Sequence, residues 1–149
     1  MIGHRAFPVV AIGLSAFLGT YCLAGEDKLS LIVNVRGAEP NKGQAICSLF
    51  TSAENYLKHP LRSRTHAIDS RGEAQFRFDG LGAGDYAVSV VYDEDLNGKL
   101  NTGLLGIPTE LVGMSNNAKG IFGPPSFKDV SFPLSRSRTI DIMLGEARK

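Results

Sequence analysis

The sequence predicts an all-β fold, an antiparallel β-sandwich of about seven strands, formed by one domain over residues 25–149. Several short segments show apolar residues at every second position, which is the pattern of half-buried strands. Turn-forming residues such as Ser70-Arg71-Gly72 separate these segments. Only Ser52–Leu61 has a helical pattern, and Pro60 ends it. A closed barrel of the same strands is the alternative.

Each predicted strand rests on its own alternation of apolar and polar residues. A short strand is also expected near Thr65–Asp69, and the segment YAVSVVYD is apolar on both faces, as a central strand should be. The alternating inward sets are Leu29, Leu31, Val33 and Val35; Ala45, Cys47 and Leu49; Ala74, Phe76 and Phe78; Val130, Phe132 and Leu134; and Ile140, Ile142 and Leu144.

The segment FRFDGLGAGDY carries a second indication of a sandwich. It resembles the F-x-G-L-x-x-G-x-Y signature of transthyretin-like and carboxypeptidase-regulatory-like domains. Gly80 and Gly84 would let the chain turn sharply, and Tyr86 would anchor the corner through its hydroxyl. We therefore expect an immunoglobulin-like or transthyretin-like sandwich.

The N-terminus predicts export. Residues 1–24 combine a short basic start, the apolar run Ala6–Leu18 and the small residues Cys22 and Ala24, as a secretory signal peptide does. The run is shorter than the roughly 20 residues that span a bilayer, so an anchor is disfavoured. Lipid attachment at Cys22 is a weaker alternative. The mature chain would be periplasmic or secreted, with no membrane span.

Charge and cysteine content exclude some classes of function. Removal of Arg5 leaves 15 basic and 15 acidic side chains, so a basic nucleic-acid-binding surface is not expected. Cys47 is the single cysteine of the mature chain, and its apolar neighbours predict a buried free thiol. An intermolecular disulfide is the alternative.

Residues 93–127 show no strand pattern. A stretch of this length in a compact domain is usually functional or disordered. Its many apolar side chains, such as Leu104, Ile107 and Phe122, favour burial. We therefore predict one long ordered loop packed on an end or edge of the sandwich.

The loop begins with DEDLNGKLN, in which acidic and amide residues follow the spacing of a calcium-binding loop. The bidentate Glu at the end of such a loop is replaced by Leu104, although Glu110 could fold back to supply it. A structural turn around the hairpin pair Asn97-Gly98 is the alternative. The candidate calcium ligands are Asp93, Asp95, Asn97, Lys99, Asn101 and Glu110.

Nothing in the mature sequence resembles an established catalytic motif: His59 and His66 lack zinc-ligand spacing, and no G-x-S-x-G is present. We expect a non-catalytic binding module acting through the loop, with an envelope protein or a glycan as partner. A hydrolase using Asp93, Asp95 and Glu110 is the alternative. The candidate binding residues are Ser115, Asn116, Asn117, Gly123, Pro124, Pro125 and Phe127, although the two Asn could instead satisfy backbone groups.

An ordered series of motifs extends over residues 28–145: Asp93 with Asn97–Leu100, Gly106-Ile107-Pro108 with Glu110, Ser115-Asn116-Asn117, and Phe122–Pro125 with Phe127. This series resembles domain of unknown function 2141, a family of small exported bacterial proteins with no established activity. Three residues depart from the family pattern: Tyr92 for a common His, Asn101 for Asp and Gly103 for Asn. The resemblance implies the fold and export, and implies no activity.

Overall fold

The computed structural model describes residues 28–146, so the predicted signal peptide lies outside the described residues. Eight strands form in this range, together with a four-residue helix, α1, and two single 3-10 turns at Leu104–Gly106 and Ser115–Asn117. The elements are β1 (Leu29–Arg36), β2 (Gln44–Phe50), β3 (Arg62–Ala67), β4 (Glu73–Leu81), β5 (Gly84–Asp93), β6 (Val112–Met114), α1 (Phe127–Val130), β7 (Phe132–Leu134) and β8 (Arg138–Met143).

The strands form two packed sheets, which confirms the sandwich and not the barrel. The smaller sheet has the order β4-β1-β8. The larger has the order β3-β2-β5-β6, and β7 pairs with the beginning of β5. All pairs are antiparallel except β1 and β8, which run in parallel from Leu31 beside Arg138 to Arg36 beside Met143.

The core lies between the inner faces of the two sheets. The inward sets predicted on β1, β2 and β4 are confirmed, since all of their members are buried. Val88 and Val90 of β5 complete the layer from the opposite sheet. Each buried Val, Leu or Phe side chain of these sets contributes about 1.5–3 kcal/mol by leaving water. The Tyr86 hydroxyl donates to the Gly82 carbonyl at 3.0 Å, as the corner signature predicts.

One open side of the sandwich is closed by β3, an edge strand with exposed side chains. The Arg62 guanidinium donates to the Asp79 carbonyl, and the His66 ring stacks on Phe76 with 4.7 Å between centroids. These contacts bring side chains of β3 over the free edge of β4, where unpaired backbone groups would otherwise promote association.

Three expectations for individual segments are wrong. Residues 53–58 form turns and not a helix, since Leu57 has a φ of 58°, which a right-handed helix does not accept. Val130 ends α1 and does not belong to a strand. The long loop contains β6, which pairs with β5 over three residues only.

Cys47 is a buried free thiol, as predicted. It lies on β2 with its side chain in the core, and burial raises the pKa of the thiol well above its ordinary value. Its position makes it a packing residue rather than a nucleophile.

Candidate functional site

The acidic turn, defined here as residues 93–101 with Glu110, begins where β5 ends. Asp93 lies opposite Gln44 of β2 and is fully buried. Its carboxylate accepts hydrogen bonds from the Gln44 amide at 2.7 Å and from the backbone N–H groups of Gly98 and Asn97 at 2.8 and 3.0 Å. Burial by itself would raise the pKa of Asp93, but these hydrogen bonds outweigh it and lower the pKa below its ordinary value.

Asp95 is the centre of a second group of hydrogen bonds in the turn. Its carboxylate accepts from the backbone and side-chain nitrogens of Asn97 at 3.2 and 3.0 Å, and from the Asn101 amide at 2.8 Å. Asn97 Oδ1 accepts from the Lys99 backbone N–H at 2.9 Å. Both amides therefore face Asp95 with their nitrogens, and an oxygen ligand set would need them to rotate.

Glu110 does fold back onto the turn. One carboxylate oxygen accepts from the Glu94 N–H at 3.0 Å, and the other accepts from the Asn101 N–H at 2.8 Å. One carboxylate oxygen from each of Asp93, Asp95 and Glu110 can be chosen so that all three lie within 4.8 Å of one another. Three hard oxygen donors at this separation could hold Ca²⁺ if loop or solvent oxygens completed the coordination.

The turn is not the type I′ hairpin that Asn97-Gly98 suggested. That turn needs positive φ at both central residues. In the structure Leu96 and Gly98 have φ values of 63° and 79°, whereas Asn97 does not have positive φ. Carboxylates, and not a tight hairpin, therefore set the path of the chain here.

The second predicted group, Ser115 to Asn117, is bound to backbone. The Ser115 hydroxyl donates to the Val130 carbonyl at 2.6 Å and accepts from the Val88 N–H at 2.9 Å, in a buried position. The Asn116 amide donates to the carbonyls of Asp129 and Ser131 at 3.1 and 3.0 Å. These side chains attach the loop to its neighbours, which leaves them little capacity for a ligand.

Asn117 is attached in the same way to β8. Its side-chain oxygen accepts from the Met143 N–H at 2.9 Å, and its nitrogen donates to the Asp141 carbonyl at 3.4 Å. Phe127 is half-buried and lies edge-to-face with Tyr56, with 5.9 Å between ring centroids. Phe127 therefore belongs to a small second core under the loop, together with Phe50 and Val130.

Gly123, Pro124 and Pro125 border a different feature, an apolar cleft with a volume of about 800 Å³. Its lining combines the outer face of the larger sheet, the segments 57–60, 105–108 and 117–125, and the end of β8. Leu105 and Phe122 lie at its border with 88% and 95% of their surface exposed, so the expected burial of the loop's apolar side chains is wrong for both. The main lining side chains are Phe50, Leu57, Val91, Leu100, Leu105, Ile107, Pro108, Val112, Met114, Phe122, Pro124, Pro125 and Met143.

The sequence prediction missed the sheet side of this cleft. Ser48, Ser89 and Val91 lie on outward positions of central strands, and nothing in their local pattern indicates a ligand site. The available signal was YAVSVVYD, which is apolar on both faces and therefore needs a cover on each. Of the predicted binding residues, Asn117, Gly123, Pro124 and Pro125 line the cleft. Ser115 and Asn116 bond backbone groups and Phe127 packs in the second core, while the candidate metal ligands lie apart in the acidic turn.

The fold and the site define a class of protein: a small β-sandwich with a long ordered loop, an acidic turn and an apolar cleft. The chain belongs to the family described as uncharacterised proteins conserved in bacteria, DUF2141, whose model matches residues 33–141. No curated protein and no solved structure shows significant similarity to the chain. Within residues 28–146 there is no helix long and apolar enough to cross a membrane.

Proposed function

We propose that this protein is an exported, non-catalytic binding module that holds an apolar ligand between its long loop and the larger sheet. The observation that supports this most is the cleft of about 800 Å³ with a largely apolar lining. Clefts of this size and character are where small molecules bind, since burying apolar surface drives binding.

The acidic turn serves in this proposal to hold the loop and not to catalyse a reaction. The carboxylates of Asp93, Asp95 and Glu110 all accept hydrogen bonds from loop nitrogens. Asp93 has a lowered pKa and so stays ionised near neutral pH, whereas a general acid needs a raised one. Calcium, if bound by these three carboxylates, would stiffen the loop that borders the cleft.

A binding experiment on residues 25–149 tests the cleft. We would titrate the protein with Nile red, a neutral apolar dye whose fluorescence rises in apolar surroundings. Ser89→Phe places a large ring on the sheet side of the cleft, where Ser89 lines it. Thr139→Phe is the control, because Thr139 is exposed on β8 and outside the cleft lining.

We expect saturable binding in the native protein and in Thr139→Phe, and weak or absent binding in Ser89→Phe. Circular dichroism and melting curves would verify that both variants fold. Equal binding by both variants, or no saturable binding at all, would refute the cleft as a site. The hydrolase alternative predicts turnover of an ester, a glycoside or a phosphate that is abolished by Asp93→Ala. Assays of these three hydrolysis reactions test it.

The proposal of export rests on residues 1–24 and on the family resemblance. Fusing this segment to a reporter enzyme that is active only outside the cytoplasm tests the proposal directly. Reporter activity should depend on the apolar run Ala6–Leu18. Activity that survives replacement of Leu14 and Leu18 by Asp would contradict it.

A further inference from the structure

We propose that the ligand of the cleft is a free single-chain amphiphile with an anionic head, such as a long-chain alkyl carboxylate. This inference rests on the proposed function, since it specifies the ligand of the same cleft. It follows from the charged side chains at the cleft, from the hydrogen bonds that its polar side chains already make, and from the arrangement of its apolar lining.

The charged side chains that line the cleft favour an anion. Two are lysines, Lys58 and Lys119, and one is acidic, Glu146. Among the described residues neither lysine forms an ion pair, whereas Lys42 pairs with both Glu39 and Glu94. Because a charged hydrogen bond is stronger beside apolar surface than in water, these two ammonium groups favour a carboxylate over a neutral head.

Two of the three uncharged polar side chains of the lining, those of Ser48 and Asn117, are already engaged. The Ser48 hydroxyl shares a hydrogen bond of 2.7 Å with Ser63. Asn117 bonds the backbone of β8 through both of its amide atoms. A glycan or an extended peptide would bring many groups that need hydrogen-bond partners in the cleft. An alkyl chain brings none, so it matches this lining better.

The apolar lining comes from separate parts of the chain and continues across the cleft. Val91 and Met114 contribute from the sheet, Leu57 from the β2–β3 connection, and Leu105 and Phe122 from the long loop. A flexible chain can follow such a surface, and each buried methylene strengthens binding about fourfold. The affinity should therefore depend on chain length until the cleft is full.

Displacement of Nile red would compare decanoate, dodecanoate and tetradecanoate with neutral dodecanol, each below its micelle concentration. We expect a rise of roughly fourfold in affinity per methylene. The double variant Lys58→Gln/Lys119→Gln should weaken dodecanoate binding about tenfold and leave dodecanol unchanged.

A matched variant controls for net charge. Lys28→Gln/Lys128→Gln removes the same charge from exposed lysines outside the cleft lining. Lys28 precedes β1 and lies near the beginning of β8, whereas Met143, which lines the cleft, is at the end of that strand. This variant should bind dodecanoate as the native protein does.

Three results would overturn the inference while the cleft still binds Nile red. They are dodecanoate binding no tighter than dodecanol, equal weakening by both double variants, and binding to phosphatidylglycerol vesicles without binding of monomeric dodecanoate. If Nile red fails to bind, or Ser89→Phe does not reduce its binding, the proposed function itself has failed. The two failures are therefore distinguishable.

Discussion

The long loop contains two kinds of segment that differ in how they meet the sandwich. In the acidic turn and at Ser115–Asn117, polar side chains bond backbone groups and fix the chain. In the segments 104–108 and 120–125, large apolar side chains such as Leu105 and Phe122 remain exposed. Polar residues therefore hold this loop in place, while the apolar residues of the segments 104–108 and 120–125 are available to a ligand.

Replacing a phenylalanine of the sandwich core and one of the exposed loop segments should show the largest contrast in stability. Phe76→Ala should lower the free energy of unfolding by about 3–5 kcal/mol, because Phe76 is fully buried between the sheets. Phe122→Ala should change it by less than about 0.5 kcal/mol, since its ring is exposed. Denaturant unfolding measures both. Loss of stability in Phe122→Ala comparable to that in Phe76→Ala would mean that the cleft segment is a part of the core.

Removing the buried carboxylate of the acidic turn should have the next largest effect. Asp93→Ala leaves the donors of Gln44, Asn97 and Gly98 without their acceptor, at a cost of about 3 kcal/mol. Asp85→Ala is the control, since Asp85 is exposed on the same strand. Equal melting temperatures for the two variants would contradict the assignment of Asp93 as the residue that fixes the turn.

The contribution of Ser115 should be somewhat smaller. Ser115→Ala removes the hydroxyl that joins the Val88 N–H to the Val130 carbonyl, and should lower the free energy of unfolding by about 2 kcal/mol. The exposed Ser70 supplies the control variant Ser70→Ala, for which we expect no measurable change. Amide exchange at Val88 gives an independent test, because only Ser115→Ala should accelerate it.

The sequence predicts the sandwich well where strands are long and alternate regularly. On β1 and β4, period two places every second residue in the core, so the pattern alone identifies the buried face. It fails at β6, because three residues that include Gly113 carry too little alternation, and only pairing with β5 makes them a strand. It also fails at Val130, whose burial arises from packing under the loop in α1.

The site divides in the same way. Asp93, Asp95 and Asn97 are close in sequence, so their spacing could indicate a local turn. The contact of Glu110 with this turn depends on how the loop folds back, which the local sequence does not determine. The cleft joins Lys58, Val91 and Phe122, which are far apart in the chain, so only the packing of the loop on the sheet creates it.

Calcium should stabilise the folded protein by a modest amount if the acidic turn binds it. At ten times the dissociation constant, binding to the folded state adds about 1.4 kcal/mol, which corresponds to a rise of roughly 4–6 °C in Tm for a domain of this size. Scanning calorimetry of residues 25–149 with millimolar calcium or a chelator measures this. The rise should disappear in Asp95→Asn and persist in Asp85→Asn, which lies outside the turn. No difference between calcium and chelator would leave the turn as a structural element only.

The smallest expected effect is a difference between the two kinds of segment in how steeply the free energy of unfolding falls with decreasing pH. Because hydrogen bonds lower the pKa of Asp93 in the folded protein, the unfolded chain binds more protons as the pH falls below about 4. The stability that Asp93 contributes is thus fully present above the pKa that this residue has in the unfolded chain. It is lost as the pH falls through the lower pKa that Asp93 has in the folded protein. Asp69, Asp79 and Asp129 have lowered pKa values too, so only a comparison isolates Asp93. Between pH 5 and 2, unfolding free energies of Asp93→Ala should fall less steeply than those of Phe122→Ala. Parallel curves would mean that the Asp93 carboxylate is not held in its ionised form by the turn.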